Sequence, residues 1–160
     1  IISKLIKIQE GVLMKKLLVV LSLNLAATMA IAAECSKEKA KSAVLKMCKE
    51  IEKKGEAAKE EIQKYRFCGD NYVWVQDNDV KMVIHPIKPK LNGSDLKPNK
   101  DEDGKFLFVE FDKKAKAAKD GGWVDYVWPK PKAEKSTPKI SFVKMCGGPL
   151  KWIAGSGVWK

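Results

Sequence analysis

Two alternating runs that meet at an acidic turn, Tyr72-Val-Trp-Val-Gln76 and Val80-Lys-Met-Val-Ile84, constrain this chain more than any other stretch. A strand turns successive side chains to opposite faces, so Tyr72, Trp74 and Gln76 fall on one face and Val73 and Val75 on the other. Between the runs, Asn78 and Asp79 are residue types that tolerate the positive φ a tight hairpin turn requires. The pattern predicts a β-hairpin. It ends at His85-Pro86, the chain's only histidine followed by a residue with no amide to donate. Proline stops the strand, which places His85 at a strand end where its ring can face a cavity.

With 160 residues, 45% of them hydrophobic, the chain is long enough for one domain with a sizeable core and too short for two ordinary ones. Its basic balance is strong. Residues 1–33 hold four lysines and one glutamate, and beyond them 27 basic groups face 19 acidic ones, a net +8. That charge is almost all lysine, scattered among acids, and no run alternates basic and aromatic residues as single-strand binders do, so no nucleic-acid partner is expected.

The N-terminus reads as a processing segment. Met14-Lys-Lys16, an apolar run from Leu17 to Leu25 and the small residues up to Ala33 form the charged, apolar and cleavage regions of a secretory signal peptide at 14–33. Cleavage after Ala32 or Ala33 would leave a periplasmic or secreted protein; the alternative is a membrane anchor made by residues 15–33. Residues 1–13 lack an initiator methionine and are expected to be an upstream translation artefact. All four cysteines, Cys35, Cys48, Cys68 and Cys146, follow the cleavage region, so disulfides are the first expectation for an oxidising compartment. Three pairings are open. Cys48 with Cys68 would tie a helix to the first strand, and Cys146 would reach Cys68 if their strands are neighbours. No C-x-x-C spacing suggests a thioredoxin-like site, attached haem or zinc.

Along the rest of the chain, Ser36 is placed to cap a helix whose apolar positions are Ala40, Ala43, Val44, Met47 and Ile51. Gly55 interrupts it, and a second helical piece runs from Glu56 to about Arg66, the lone arginine, which is expected to close an ion pair. After the hairpin come a long loop, a helix from Phe106 to Lys119, and a strand from Trp123 to Trp128 with Val124, Tyr126 and Trp128 on one face. A Pro/Lys loop from Pro129 to Pro138, a strand from Lys139 to Met145 and a last strand from Trp152 to Val158 complete the order, the glycines of the last marking close backbone approach.

This order and its landmarks resemble the single Cache domain, the PAS-like extracytoplasmic sensor of chemoreceptors and sensor kinases, over about Ser36 to Trp159. The residues that carry the resemblance are Asn71-Tyr-Val-Trp-Val, the Asp79 turn, Ile84-His-Pro, Leu91-Asn-Gly-Ser-Asp-Leu96, Asp101-Glu-Asp-Gly-Lys105, Gly121-Gly-Trp-Val-Asp-Tyr-Val-Trp-Pro129, Pro138-Lys-Ile-Ser-Phe-Val143 and Trp152-Ile-Ala-Gly-Ser-Gly157. The resemblance implies an α+β, PAS-like domain at 34–160. Its five-stranded antiparallel sheet would carry a long N-terminal helix on one face and a small-ligand pocket on the other. It also implies a short carboxylate or amino acid as ligand; a membrane receptor or kinase is a candidate partner, and no cofactor is expected.

Such a pocket needs a cation, a few hydrogen-bond donors and aromatic walls that exclude water. Lys139 is the candidate for the carboxylate, His85 and Tyr126 for hydrogen bonds, and Tyr72, Trp74 and Trp128 for the walls. The competing readings are ordinary sheet-face core for the aromatics, a strand-end cap for His85 and a solvated surface lysine for Lys139. Asn99, Asp101, Asp103, Gly104 and Glu110 have the spacing of a calcium loop, but Pro98 denies it an entering helix and the same residues form the family's loop-to-helix turn, so no metal site is assigned. Ser141 and Ser156 lack a nucleophile elbow and no paired carboxylates stand near a strand end, so no enzymatic chemistry is expected.

Overall fold

The computed structural model describes residues 35–160. The segments expected to be a signal peptide, 14–33, and a translation artefact, 1–13, lie outside the described residues. Among the described residues, no helix is long and apolar enough to cross a membrane.

Helix α1, Lys37–Lys54, starts where Ser36 Oγ accepts from Lys39 N–H at 3.3 Å. Its inward face is Ala40, Ala43, Val44, Met47, Cys48 and Ile51, the stripe read from the sequence with Cys48 added. Gly55 ends it at φ 58, and α2, Ala58–Lys64, follows after a single 3-10 turn. Among the described residues Arg66 closes no ion pair: its guanidinium donates to the carbonyls of Gln63 and Tyr65 at 2.9 and 2.8 Å, serving acceptors that the helix end leaves open.

The hairpin is present as β1, Trp74–Gln76, and β2, Met82–Ile84. Its turn differs from the expectation. Asp77 Oδ1 accepts from the Asp79 and Lys81 amides at 2.9 and 2.8 Å, and the positive φ falls on Val80, at 64°, rather than on Asn78 or Asp79. A three-residue hairpin loop places its left-handed residue last, and Val80 holds that position because its side chain is buried in the core.

Helix α3, Leu107–Ala117, leads into β3, Gly122–Pro129, β4, Ser136–Met145, and β5, Ile153–Trp159. The five strands form one antiparallel sheet in the order β2-β1-β5-β4-β3. Strand β4 begins earlier than the sequence suggests and contains Pro138. Pro138 has no amide to donate, but its carbonyl accepts from Lys160 N–H at 2.9 Å, which keeps it paired next to β5.

Two cores follow from the alternation. Val73, Val75, Phe142 and Ala154 pack against α1 and α2 on one face, while Tyr72, Trp74, Tyr126, Val143 and Ile153 pack against α3 on the other. The bond Cys48–Cys146 joins α1 to the end of β4, the pairing that neither sequence argument singled out. Both sheet edges are closed by the long loop. Gly93, Ser94 and Leu96 pair with Val80 and Met82 beside β2, and Asp101 and Lys105 reach the Val127 amide and the Asp125 carbonyl of β3. The loop between hairpin and α3 therefore crosses the α3 face of the sheet from edge to edge.

Candidate functional site

Along β1, β3 and β4, every second side chain points toward α3, which brings distant residues to one place. Tyr72, Trp74, His85, Tyr126 and Trp128 wall one small cavity, closed from above by Leu107, Phe108 and Phe111 of α3. Its volume is about 10 Å³, room for a single water-sized sphere. The rings pack on one another: Phe111 stands edge-on to Tyr126 with centroids 4.9 Å apart, and Trp74 lies 4.8 Å from Phe111. Gly155 and Gly157 of β5 make the space. A Cβ on Gly155 would come within 2.2 Å of the Trp74 ring, and one on Gly157 within 2.0 Å of the Ile140 carbonyl.

Lys139 does not wall the cavity. It stands beside Tyr126 across the β3–β4 pairing and is 2% exposed. Its ammonium lies 3.8 Å from the Trp159 ring centroid, 4.8 Å from that of Tyr72 and 5.9 Å from that of Tyr126. Burial alone lowers its pKa to about 7; among the described residues no carboxylate offsets that loss of hydration. A buried lysine set against aromatic faces, with no carboxylate acting on it among the described residues, can accept an anion.

His85 follows β2 directly, where Pro86 is expected to end the strand. Its backbone amide donates to Asn92 Oδ1 at 2.7 Å, and its Nδ1 accepts from the Lys88 amide at 2.9 Å. That second bond leaves the ring proton on Nε2. Burial first, then the charges of Lys139 and Lys88, lower the imidazole pKa to about 3, so the ring is neutral and Nε2–H is a donor. Tyr72 Oη accepts from Trp128 Nε1 at 3.1 Å, which leaves its own proton to give. Tyr126 Oη and Ser141 Oγ share a bond of 2.9 Å, and burial raises the pKa of both tyrosines, keeping them neutral donors.

The structure thus gathers five of the six sequence candidates at one cavity and sets the sixth, Lys139, against two of its rings. Sequence reasoning missed Leu107, Phe108 and Phe111, although their helical spacing was visible, because nothing local says which sheet face a helix covers. It also missed Asn92, Lys88 and Trp159, which act through His85, Trp128 and Lys139. Lys88 Nζ lies 4.4 Å above the Trp128 ring, and both residues are only partly buried.

Other places are less suited. A groove of about 580 Å³ between α3 and β3, lined by Lys105, Lys113, Lys114 and Trp123, is larger but open to solvent and offers no buried polar group. The calcium-spaced carboxylates are committed elsewhere. Asp101 accepts from the amides of Asp103, Lys105 and Val127, and Glu110 pairs with Lys113 at 2.8 Å.

Residues 31–160 match the family model of the Cache domain. The methyl-accepting chemotaxis protein McpP of Pseudomonas putida is 39% identical over 98 residues, 61% of this chain and 18% of that protein. This chain therefore spans about a fifth of the length of that curated relative. A solved periplasmic sensor domain of a chemotaxis protein is 37% identical, with a TM-score of 0.64 over 74% of this chain and 87% of its own. A Cache chemosensory domain solved for its carboxylic acid recognition is 35% identical, with a TM-score of 0.63 over 74% and 85%.

Proposed function

The chain belongs to the Cache domain family, and from that premise we propose that it is an exported sensor domain that binds a short carboxylate between the sheet and α3, without chemistry. The observation that carries the reading is Lys139: a buried cation with no carboxylate acting on it among the described residues, next to neutral donors from Tyr72 and Tyr126. A carboxylate supplies the missing counter-charge, its oxygens taking Lys139 Nζ together with His85 Nε2–H or Tyr72 Oη–H. The aromatic walls exclude water and strengthen those few contacts. The carboxylic acid recognition of the related chemosensory domain supports the same ligand class.

The cavity is smaller than any carboxylic acid, so binding requires side chains to shift. Trp128, a partly exposed wall of the cavity, and Lys88 above its ring are the groups whose movement opens it, and the limited space favours short chains over long ones. Thermal unfolding against a ladder from formate to butyrate, with amino acids and amines alongside, tests the reading. A ligand at ~100 times its dissociation constant adds about 2.7 kcal/mol, a shift of several degrees. Stabilisation by short carboxylates and not by amines is expected. No stabilisation by any carboxylate would remove the reading and favour a protein-contact scaffold.

A second reading concerns attachment. McpP is a whole receptor of which this chain matches a fifth, so this domain equally fits the sensing part of a membrane receptor or kinase. Sequencing the N-terminus of the exported protein separates the two: a start near Ala33 means release, and retention of Met14 means an anchor.

A further inference from the structure

Once Cys48 and Cys146 are joined, Cys35 and Cys68 remain as thiols. They are remote in sequence and adjacent in space. Cys35 immediately precedes Ser36, the N-cap of α1, and Cys68 lies between α2 and β1, in a loop closed by the Phe67 amide donating to the Asn71 carbonyl at 3.0 Å. The segment from Tyr65 to Cys68 is held along α1. Lys46 Nζ of that helix sits 4.8 Å from the Tyr65 ring, Phe67 stacks on Tyr65 with centroids 6.1 Å apart, and both rings pack on the core that α1 covers. Where the segment ends, Cys68 and Asn71, held close by the Phe67–Asn71 bridge, are neighbouring side chains that act on the Cys35 thiol. Cys68 is exposed and Cys35 half-buried.

We propose that Cys35 and Cys68 form a second disulfide, which ties the start of α1 to the chain entering the ligand-facing wall. The bond forms by exchange with a small disulfide oxidant. The Cys68 thiolate, the one open to solvent, attacks a sulfur of the oxidant; that S–S bond breaks, one small thiol leaves, and Cys68 carries a mixed disulfide. Cys35 then gives up its proton and attacks Cys68 Sγ, expelling the second small thiol. Two protein S–H bonds and one oxidant S–S bond become one protein S–S bond and two small thiols, so the oxidant takes both electrons and both protons. Burial first, then contact with Cys68, push the Cys35 thiol up to about 11, which suits it to react second, within the mixed disulfide.

The position gives the bond a consequence. Tyr72 comes four residues after Cys68, and its carbonyl is held by Ser156 Oγ at 2.6 Å. The bond would therefore brace the cavity wall against the helix that continues the N-terminal segment.

Peptide mapping of the full chain after treatment with oxidised glutathione at low protein concentration tests this. Trypsin leaves the four cysteines on four different peptides, because Lys37, Lys46, Lys49, Arg66, Lys81, Lys144 and Lys151 separate them. The expected result is a peptide ending at Lys37 joined to Phe67–Lys81, beside Met47–Lys49 joined to Met145–Lys151, with no alkylatable thiol left. In Cys35→Ser the glutathione should stay on Cys68, since nothing displaces it. Persistent alkylatable thiols, a stable glutathione adduct on wild-type Cys68, a Cys68-linked dimer, or a bond from either cysteine to Cys48 or Cys146 would each overturn the proposal.

Discussion

At the residue scale, Lys139 sets the behaviour of the site. Its pKa is lowered from 10.5 to about 7 by burial, so between those values the unfolded chain binds more protons than the folded one. Stability of the ligand-free protein therefore rises with pH from about 7 toward about 10.5, and is at its lowest below about pH 7, where the folded state carries the buried charge. Lys139→Met removes both the cost and the slope: unfolding midpoints in denaturant should be higher than wild type near neutral pH and no longer climb with alkali. Carboxylate affinity runs the other way. It needs the ammonium form, so it should weaken as pH rises above about 7, and binding there should take up protons, readable as a buffer-dependent heat. Asn92 acts at one remove: Asn92→Ala leaves the His85 amide without its 2.7 Å acceptor and should cost about 1–2 kcal/mol in chemical unfolding.

The elements show which features a sequence can carry by itself. The alternation of Tyr72 to Gln76 and the apolar stripe of α1 are local periodicities, and both cores follow them. Three features depended on partners far along the chain. Pro138 belongs to β4 because it pairs with Val127 and accepts from Lys160 N–H, Val80 takes a left-handed turn position because its side chain is buried, and Cys48 meets Cys146 because α1 crosses the end of β4. The candidate site divides in the same way. Its walls were legible as one face of strands, whereas the burial of Lys139, one basic residue among 31, depends on Trp159 of β5 and on Tyr72, just before β1. Two predictions belong at this scale. Gly157→Ala would force a Cβ to 2.0 Å from the Ile140 carbonyl, separating β5 from β4, and should destabilise by about 3 kcal/mol or more in equilibrium unfolding. Reduction of Cys48–Cys146, which closes a separation of 98 residues, should lower stability by up to ~4 kcal/mol by chain entropy.

For the whole molecule, the sheet separates two tasks. The α1 face is a structural core fixed by a disulfide, while the α3 face holds aromatic rings, neutral donors and Lys139, a buried cation on which no carboxylate acts among the described residues. The family membership gives the architecture a sensory context, and the anionic ligand is the proposal drawn from Lys139. The account rests on that charge. Calorimetric titration of the most stabilising short carboxylate into wild type and Lys139→Met, both near pH 6, tests it most directly. The account predicts saturable binding by wild type and none, or affinity weakened at least about 100-fold, in the variant. Equal affinity in the two proteins would contradict it.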